Sequence, residues 1–159
     1  MEKINLEKRG NIIEIPKNVF EKIAEDVRHE LLKVPKVSDN RDDFYGLCGT
    51  AAELTAKKIC EYLKENFGPE SIENVYQNLK IYYLQIFNRN HHITTWGKDF
   101  NNSWKIDPTI DQFKELTVLA ENKFIFSPTE QYPFPAEKRD EVSGDIFTNI
   151  VPEVYFNNK

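Results

Sequence analysis

Apolar residues recur at three- and four-residue steps near the start of the chain, which is the spacing of one face of an α-helix. The stripe predicts a helix over residues 18 to 35, with Asn18 as its N-cap and Pro35 as its end. Its apolar face consists of Phe20, Ile23, Ala24, Val27, Leu31 and Val34. His29 lies off this stripe, so we expect a solvated surface residue with no catalytic part.

A second stripe predicts a helix from Cys48 to about Asn66, closed by Gly68 and Pro69. Its apolar positions are Ala52, Ala56, Ile59 and Leu63. The polar, irregular stretch from residue 35 to 47 is typical of a loop that leads into a helix. The prediction therefore places Cys48 at a helix N-terminus.

The second half of the chain contains several strand patterns. Each is a short run rich in β-branched and aromatic residues, and turn residues separate one run from the next. Residues 79 to 87 are largely apolar on both alternating faces, as expected for a central strand. The other predicted strands cover residues 91 to 96, 103 to 107, 123 to 126 and 154 to 156. Helices followed by strands, without an internal repeat, predict an α+β fold in a single domain over residues 1–159.

Composition supports a folded domain, because 40 % of the 159 residues are hydrophobic and 13 % are aromatic. The net charge of -5 is spread along the chain, so we expect no nucleic-acid partner. No apolar stretch approaches the roughly 18 residues of a membrane helix, and the N-terminus lacks a signal-peptide core. We therefore expect no membrane partner, and a protein that is cytoplasmic or exported without a conventional signal peptide.

The two cysteines, Cys48 and Cys60, fall within one predicted helix, which separates them by roughly 18 Å along its axis. A disulfide needs Cα atoms within about 7 Å, so we expect both thiols to be free. Cys60 lies in mid-helix and is predicted to be a core residue. For Cys48 a buried structural cysteine remains an alternative, but a helix N-terminus stabilises a thiolate through unpaired N–H groups and the helix dipole.

Two histidines and an aspartate could complete a nucleophile, base and orienter set with Cys48. His91 and His92 start one predicted strand, and Asp107 ends the next. Adjacent strand residues face opposite ways, so only one histidine can face Asp107. If Trp96 pairs with Trp104, as an aromatic cross-strand contact favours, His91 shares the face of Asp107; a shift by one residue would select His92.

The segments around these residues resemble the papain-like and transglutaminase-like cysteine hydrolases, including papain-fold toxins and protein-glutamine deamidases. The resemblance lies in Gly46-Leu47-Cys48-Gly49, in His91-His92 and in IDPTIDQF from Ile106 to Phe113. It implies a papain-like fold, with the nucleophile helix packed on an antiparallel sheet. It also implies Cys48 as nucleophile, His91 or His92 as base and Asp107 as orienter.

The resemblance further implies an amide hydrolase that forms a thioester on a protein or peptide substrate, needs no cofactor, and acts as a toxin or effector. The chain departs from protease members because it has no clear upstream glutamine for an oxyanion hole, and Asn40 is a weak substitute. A protein-glutamine deamidase is therefore expected, with a thiol protease or transglutaminase as the alternative.

Two further alternatives stay open at the level of sequence. A metal site built from Cys48, the histidines and Asp107 is disfavoured, because there is no close cysteine pair and adjacent strand histidines diverge. An inactive binding module of the same fold would grip a protein partner or inhibitor through the Pro- and aromatic-rich loop from Ser127 to Pro135.

Overall fold

The structure is a computed structural model, and it describes residues 12–33, 47–110, 123–134, 136 and 138–156. Within these residues the chain forms an α+β fold, as predicted, in which helices pack on a five-stranded antiparallel sheet. The helices are α1 (Lys17–Leu31), α2 (Cys48–Phe67) and α3 (Ile72–Asn78). The strands are β1 (Leu79–Ile86), β2 (Arg89–Trp96), β3 (Trp104–Ile106), β4 (Ile125–Phe126) and β5 (Lys138–Glu141).

The two long helices lie close to their predicted positions. Helix α2 begins at Cys48 as expected. Helix α1 ends at Leu31, and its N-cap is Pro16, so the prediction of Asn18 as N-cap was wrong. Proline restricts φ to a value that suits the extended conformation of an N-cap, here φ -62° and ψ 149°, so the N-cap lies two residues earlier than the polar Asn18 suggested. The predicted helix end at Pro35 and the loop through Gly46 lie outside the described residues.

Helix α3 and strand β5 were not predicted from the sequence. Helix α3 has 7 residues, too few for a helical stripe to stand out. All four residues of β5 are exposed, so the strand lacks the alternating apolar pattern of a half-buried strand. It is held instead by backbone pairing with β1.

The strand predicted around residues 154 to 156 was wrong, because the structure places them in a π-helical segment, Pro152–Phe156. It follows a similar segment, Ile146–Ile150, directly along the chain. Val151 and Tyr155 are both buried, and a spacing of four residues puts them on one helical face. Three apolar residues in a row at 154 to 156 resemble a short strand, but the four-residue spacing of Val151 and Tyr155 is that of a helix.

The strands follow the order β4-β3-β2-β1-β5, which puts the β1–β2 hairpin at the centre. Phe87 and Asn88 make its turn with positive φ angles of 52° and 60°, so β2 begins at Arg89, earlier than predicted. One face of the sheet packs against α2 in the main core. The other carries a second cluster, formed by Tyr82, Leu84, Ile86, Ile93, Phe100, Ile110, Phe126 and Phe134.

Gly97 ends β2 in a conformation that favours glycine, with φ at 154°. A Cβ at this position would lie 2.5 Å from Cβ of Ser103 and 2.6 Å from its Cα. We expect Gly97→Ala to lower the free energy of unfolding by about 2 to 4 kcal/mol, because backbone must move to admit the methyl group. Urea denaturation measures this loss. Gly144→Ala, where a Cβ meets nothing within 4 Å, is the matched control, and equal stability of the two variants would contradict the prediction.

Candidate active site

Close packing of α2 on β2 determines where Cys48 lies. Helix α2 presents small side chains to the sheet, and Ala51, Ala52 and Ala56 are each at most 1 % exposed. Thr94 of β2 donates a hydrogen bond from Oγ1 to the carbonyl of Ala52 over 2.7 Å. The helix therefore approaches β2 closely, and its first residue, Cys48, reaches the start of that strand.

The sulfur of Cys48 lies beside the histidine pair. Its Sγ atom is 3.6 Å from Nδ1 of His92 and 3.8 Å from the carbonyl oxygen of Asn90. The His92 ring is also in edge contact with the ring of Tyr83, at a centroid distance of 5.6 Å. The sequence-predicted convergence of Cys48 with the start of β2 is thus present in the structure.

His91 and Asp107 form a buried pair, and both are completely inaccessible to solvent. Nε2 of His91 lies 2.8 Å and 3.0 Å from the two carboxylate oxygens of Asp107. The pairing of Trp96 with Trp104 explains why His91 is the partner, since this register puts His91 and Asp107 on one face of the sheet. The register that the aromatic pair favoured is therefore confirmed.

Asp107 contacts His91 through its side chain and starts a turn through its backbone. Its N–H donates to the carbonyl of Phe124 over 2.8 Å, and its own carbonyl accepts from the N–H of Ile110 over 3.2 Å. Arg28 of α1 fixes the same turn through a 2.7 Å hydrogen bond to the carbonyl of Pro108. The Asp-Pro sequence thus starts a turn and also leaves the carboxylate directed at His91.

Burial alone raises the pKa of Cys48, but hydrogen bonds and positive charge from His91 and His92 outweigh it and lower the pKa to about 6. Burial likewise lowers the pKa of His91, yet the charge and hydrogen bond of Asp107, together with Cys48, raise it to about 9. Between pH values of about 6 and about 9, the favoured form of the pair is therefore a Cys48 thiolate next to a His91 imidazolium.

The start of α2 adds polar groups to the same place. Leu47, the N-cap residue, contributes no side-chain hydrogen bond, and no acidic residue lies in the first turn. The first backbone N–H groups of a helix have no partner within the helix, and they favour negative charge. They are suited to a thiolate or to an oxyanion formed next to it.

The other residues considered in the sequence analysis lie away from this cluster or outside the described part of the chain. His29 is exposed on α1, as expected. Cys60 is a free, buried cysteine, and burial raises its pKa to about 12, which makes it unreactive at neutral pH. Asn40 and Gly46 lie outside the described residues.

Sequence reasoning missed two features next to the cluster. Tyr132 donates a hydrogen bond from its hydroxyl to Asp107. The carboxyl groups of Glu53 and Asp145 share a hydrogen bond within electrostatic reach of His92; burial, that bond and the charge of Asp145 raise the pKa of Glu53. For Tyr132 the sequence did carry one signal, a high density of aromatic residues between positions 124 and 134.

Within the described residues, no group of three or more His, Cys, Asp or Glu side chains is arranged to hold a metal ion. None of the helices in this part of the chain is both long enough and apolar enough to cross a membrane. Comparison of the chain with protein-family models, with curated proteins and with solved structures finds no significant match. The functional argument therefore depends on the geometry of the cluster.

Proposed function

We propose that this protein is a cysteine-dependent amide hydrolase that forms a thioester and deamidates glutamine side chains of a protein substrate. One observation carries the proposal: a thiol at the start of a helix lies beside two imidazoles, His92 at 3.6 Å and His91, whose Nε2 is held by a buried carboxylate. Nucleophile, base and orienter stand in that relation in cysteine hydrolases. The resemblance to papain-like and transglutaminase-like hydrolases agrees with it.

In this proposal Cys48 is the nucleophile, His91 is the acid and base, and Asp107 fixes the imidazole. The carboxylate accepts the Nε2 proton of His91, which leaves Nδ1 to exchange a proton with the sulfur. His92 is a second donor to the thiolate. Of the two histidines, His91 is assigned as the base because it holds the carboxylate partner.

The reaction begins when the Cys48 thiolate attacks the carboxamide carbon and the carbonyl becomes an oxyanion, which the first N–H groups of α2 receive. The His91 imidazolium gives its proton to the leaving nitrogen, the C–N bond breaks and ammonia departs. Water then attacks the thioester while His91 takes one proton. The C–S bond breaks, and a carboxylate and the free cysteine result.

The inward position of Tyr132 favours an enzyme over an inactive binding module. An inactive binding module would present the loop that begins at Ser127 to solvent as the surface that binds its partner. Tyr132 in that loop instead turns its hydroxyl to Asp107, and its ring packs on Phe100, Phe126 and Phe134. A perturbed thiol–imidazole pair beside this contact also favours chemistry.

Product analysis tests the proposal. The protein is incubated with unfolded β-casein and with an N-blocked glutaminyl-glycine dipeptide, and ammonia, new N-termini and glutamate at former glutamines are measured. We expect ammonia and glutamate in equal amounts without new termini. New termini without ammonia would assign a peptidase, and hydroxamate formed on added hydroxylamine without glutamate in its absence would assign a transferase. The absence of all three products from both substrates would contradict amide chemistry.

A further inference from the structure

Tyr132 reaches the buried His91–Asp107 pair from a different part of the chain. Its hydroxyl donates to Oδ2 of Asp107, the same oxygen that lies 2.8 Å from Nε2 of His91. Asp107 is completely buried, so its negative charge is stabilised by neighbouring donors and not by solvent. His91 and Tyr132 thus hold the carboxylate from two directions.

The ring of Tyr132 is fixed by aromatic packing. It meets Phe126 at a centroid distance of 5.7 Å, Phe134 at 5.6 Å and Phe100 at 6.1 Å, each in a T-shaped or edge arrangement. Such contacts set the direction of the ring, and therefore the point at which the hydroxyl arrives. The cluster leaves the hydroxyl little freedom to leave Asp107.

The segment before Tyr132 is anchored to β3, the strand that Asp107 directly follows. Lys105 of β3 is 1 % exposed, and its ammonium group donates to the carbonyls of Glu130 over 3.0 Å and Ser127 over 3.4 Å. Asp107 follows the last residue of β3 and lies two residues after Lys105, so the two side chains leave the chain on the same side. Lys105 therefore fixes the turn at Glu130, and Tyr132, two residues further along, contacts Asp107 just beyond the end of β3.

We infer that Tyr132 is a positioning residue that holds the Asp107 carboxylate in the orientation that keeps His91 paired with the Cys48 thiolate. The inference rests on the proposed function, since it concerns the same three side chains. Tyr132 does not touch the reacting sulfur; it acts through Asp107. Its role is to restrict rotation of a carboxylate that would otherwise have one side-chain donor at that oxygen.

The donor is present across the useful pH range. Burial and the negative charge of Asp107 hold the pKa of Tyr132 well above its ordinary value, so the hydroxyl keeps its proton. The other charged groups around the set are the imidazoles of His91 and His92, Lys105 on β3, and the Glu53–Asp145 pair near His92. The two limbs are assigned to the Cys48 thiol and the His91 imidazole, whose pKa values of about 6 and about 9 lie on either side of neutral pH.

Alkylation with iodoacetate gives a readout that needs no substrate. The reagent is an anion that reacts with thiolate and is attracted by an adjacent imidazolium. In the unaltered protein we expect the rate of Cys48 modification to rise near pH 6 and fall near pH 9. In Tyr132→Phe we expect both limbs to move inward by about 0.5 to 1 pH unit, because a carboxylate that can rotate away from His91 stabilises the imidazolium less.

Tyr155→Phe is the matched control, because the Tyr155 hydroxyl is also bonded, to Ser71 at 2.7 Å, but lies away from the cluster. We expect it to leave both limbs in place. Unchanged or outward-moving limbs in Tyr132→Phe would overturn the inference. If the Phe variant does not fold, 3-fluorotyrosine at position 132, a stronger donor of nearly the same shape, should move the alkaline limb to lower pH, because it withdraws more negative charge from Asp107 and so lowers the pKa of His91. No movement of that limb would overturn the inference. Absence of the two limbs in the unaltered protein would instead contradict the proposed function.

Discussion

Cys48→Ala is expected to abolish release of ammonia from glutamine substrates, with a loss of at least about 10³-fold, because no other group in the cluster can form the thioester. The sulfur lies at the start of α2 with imidazole donors beside it, and these lower its pKa to about 6. Coupled ammonia assays on equal amounts of folded protein measure the loss.

The chain supplies its own control for this change. Cys60 lies in the same helix, is also buried and free, and has a pKa raised to about 12. Cys60→Ala should therefore keep the rate of ammonia release within about 3-fold, while it lowers stability by about 1 to 2 kcal/mol through a small cavity. Equal retention of activity in both variants would remove Cys48 from the chemistry.

The proximity of Cys48 to the histidine pair could be predicted from the sequence because these residues lie on regular elements. The apolar stripe from Ala52 to Leu63 predicted where α2 lies, and therefore that Cys48 is at the start of this helix. The register of β2 against β3 determines which of His91 and His92 faces Asp107, and the expected pairing of Trp96 with Trp104 predicted that register. Two local patterns and one cross-strand contact therefore predicted that Cys48 lies near the histidine pair and that His91 faces Asp107.

Tyr132 could not be predicted in the same way. It lies 25 residues after Asp107 in a proline-containing loop, where no regular spacing says which side chain turns inward. Its position depends on the Lys105 ammonium that fixes the turn at Glu130 and on the aromatic cluster around it. Strand β5 was not predicted for a related reason. It is held by backbone pairing with β1, and because its four side chains are all exposed, its sequence has no alternating apolar pattern.

Two imidazoles at one sulfur raise the question of how their contributions differ. Both lower the pKa of Cys48. Only the Nε2 atom of His91, however, is bonded to the Asp107 carboxylate, which raises the pKa of His91 to about 9. A base must take a proton and then hold the positive charge, and a buried carboxylate stabilises that charge. The geometry therefore predicts unequal effects for neighbouring, chemically identical residues.

We expect His91→Gln to reduce ammonia release by about 10²- to 10⁴-fold, and His92→Gln by less than about 10-fold. Glutamine is chosen because its amide can still donate to Asp107, whereas alanine would leave a buried carboxylate without that partner and destabilise the fold. The pH midpoint of Cys48 alkylation should rise from about 6 toward or beyond its ordinary value in His91→Gln, since burial then dominates.

The two variants are neighbours on β2, so each controls for the other. His92→Gln removes one donor to the sulfur, at 3.6 Å, but leaves the His91–Asp107 pair in place. Its alkylation midpoint should rise by less than that of His91→Gln. A larger loss of activity in His92→Gln would make His92 the base. Asp107 would then serve the fold through its turn, because it would no longer orient the imidazole that carries the proton.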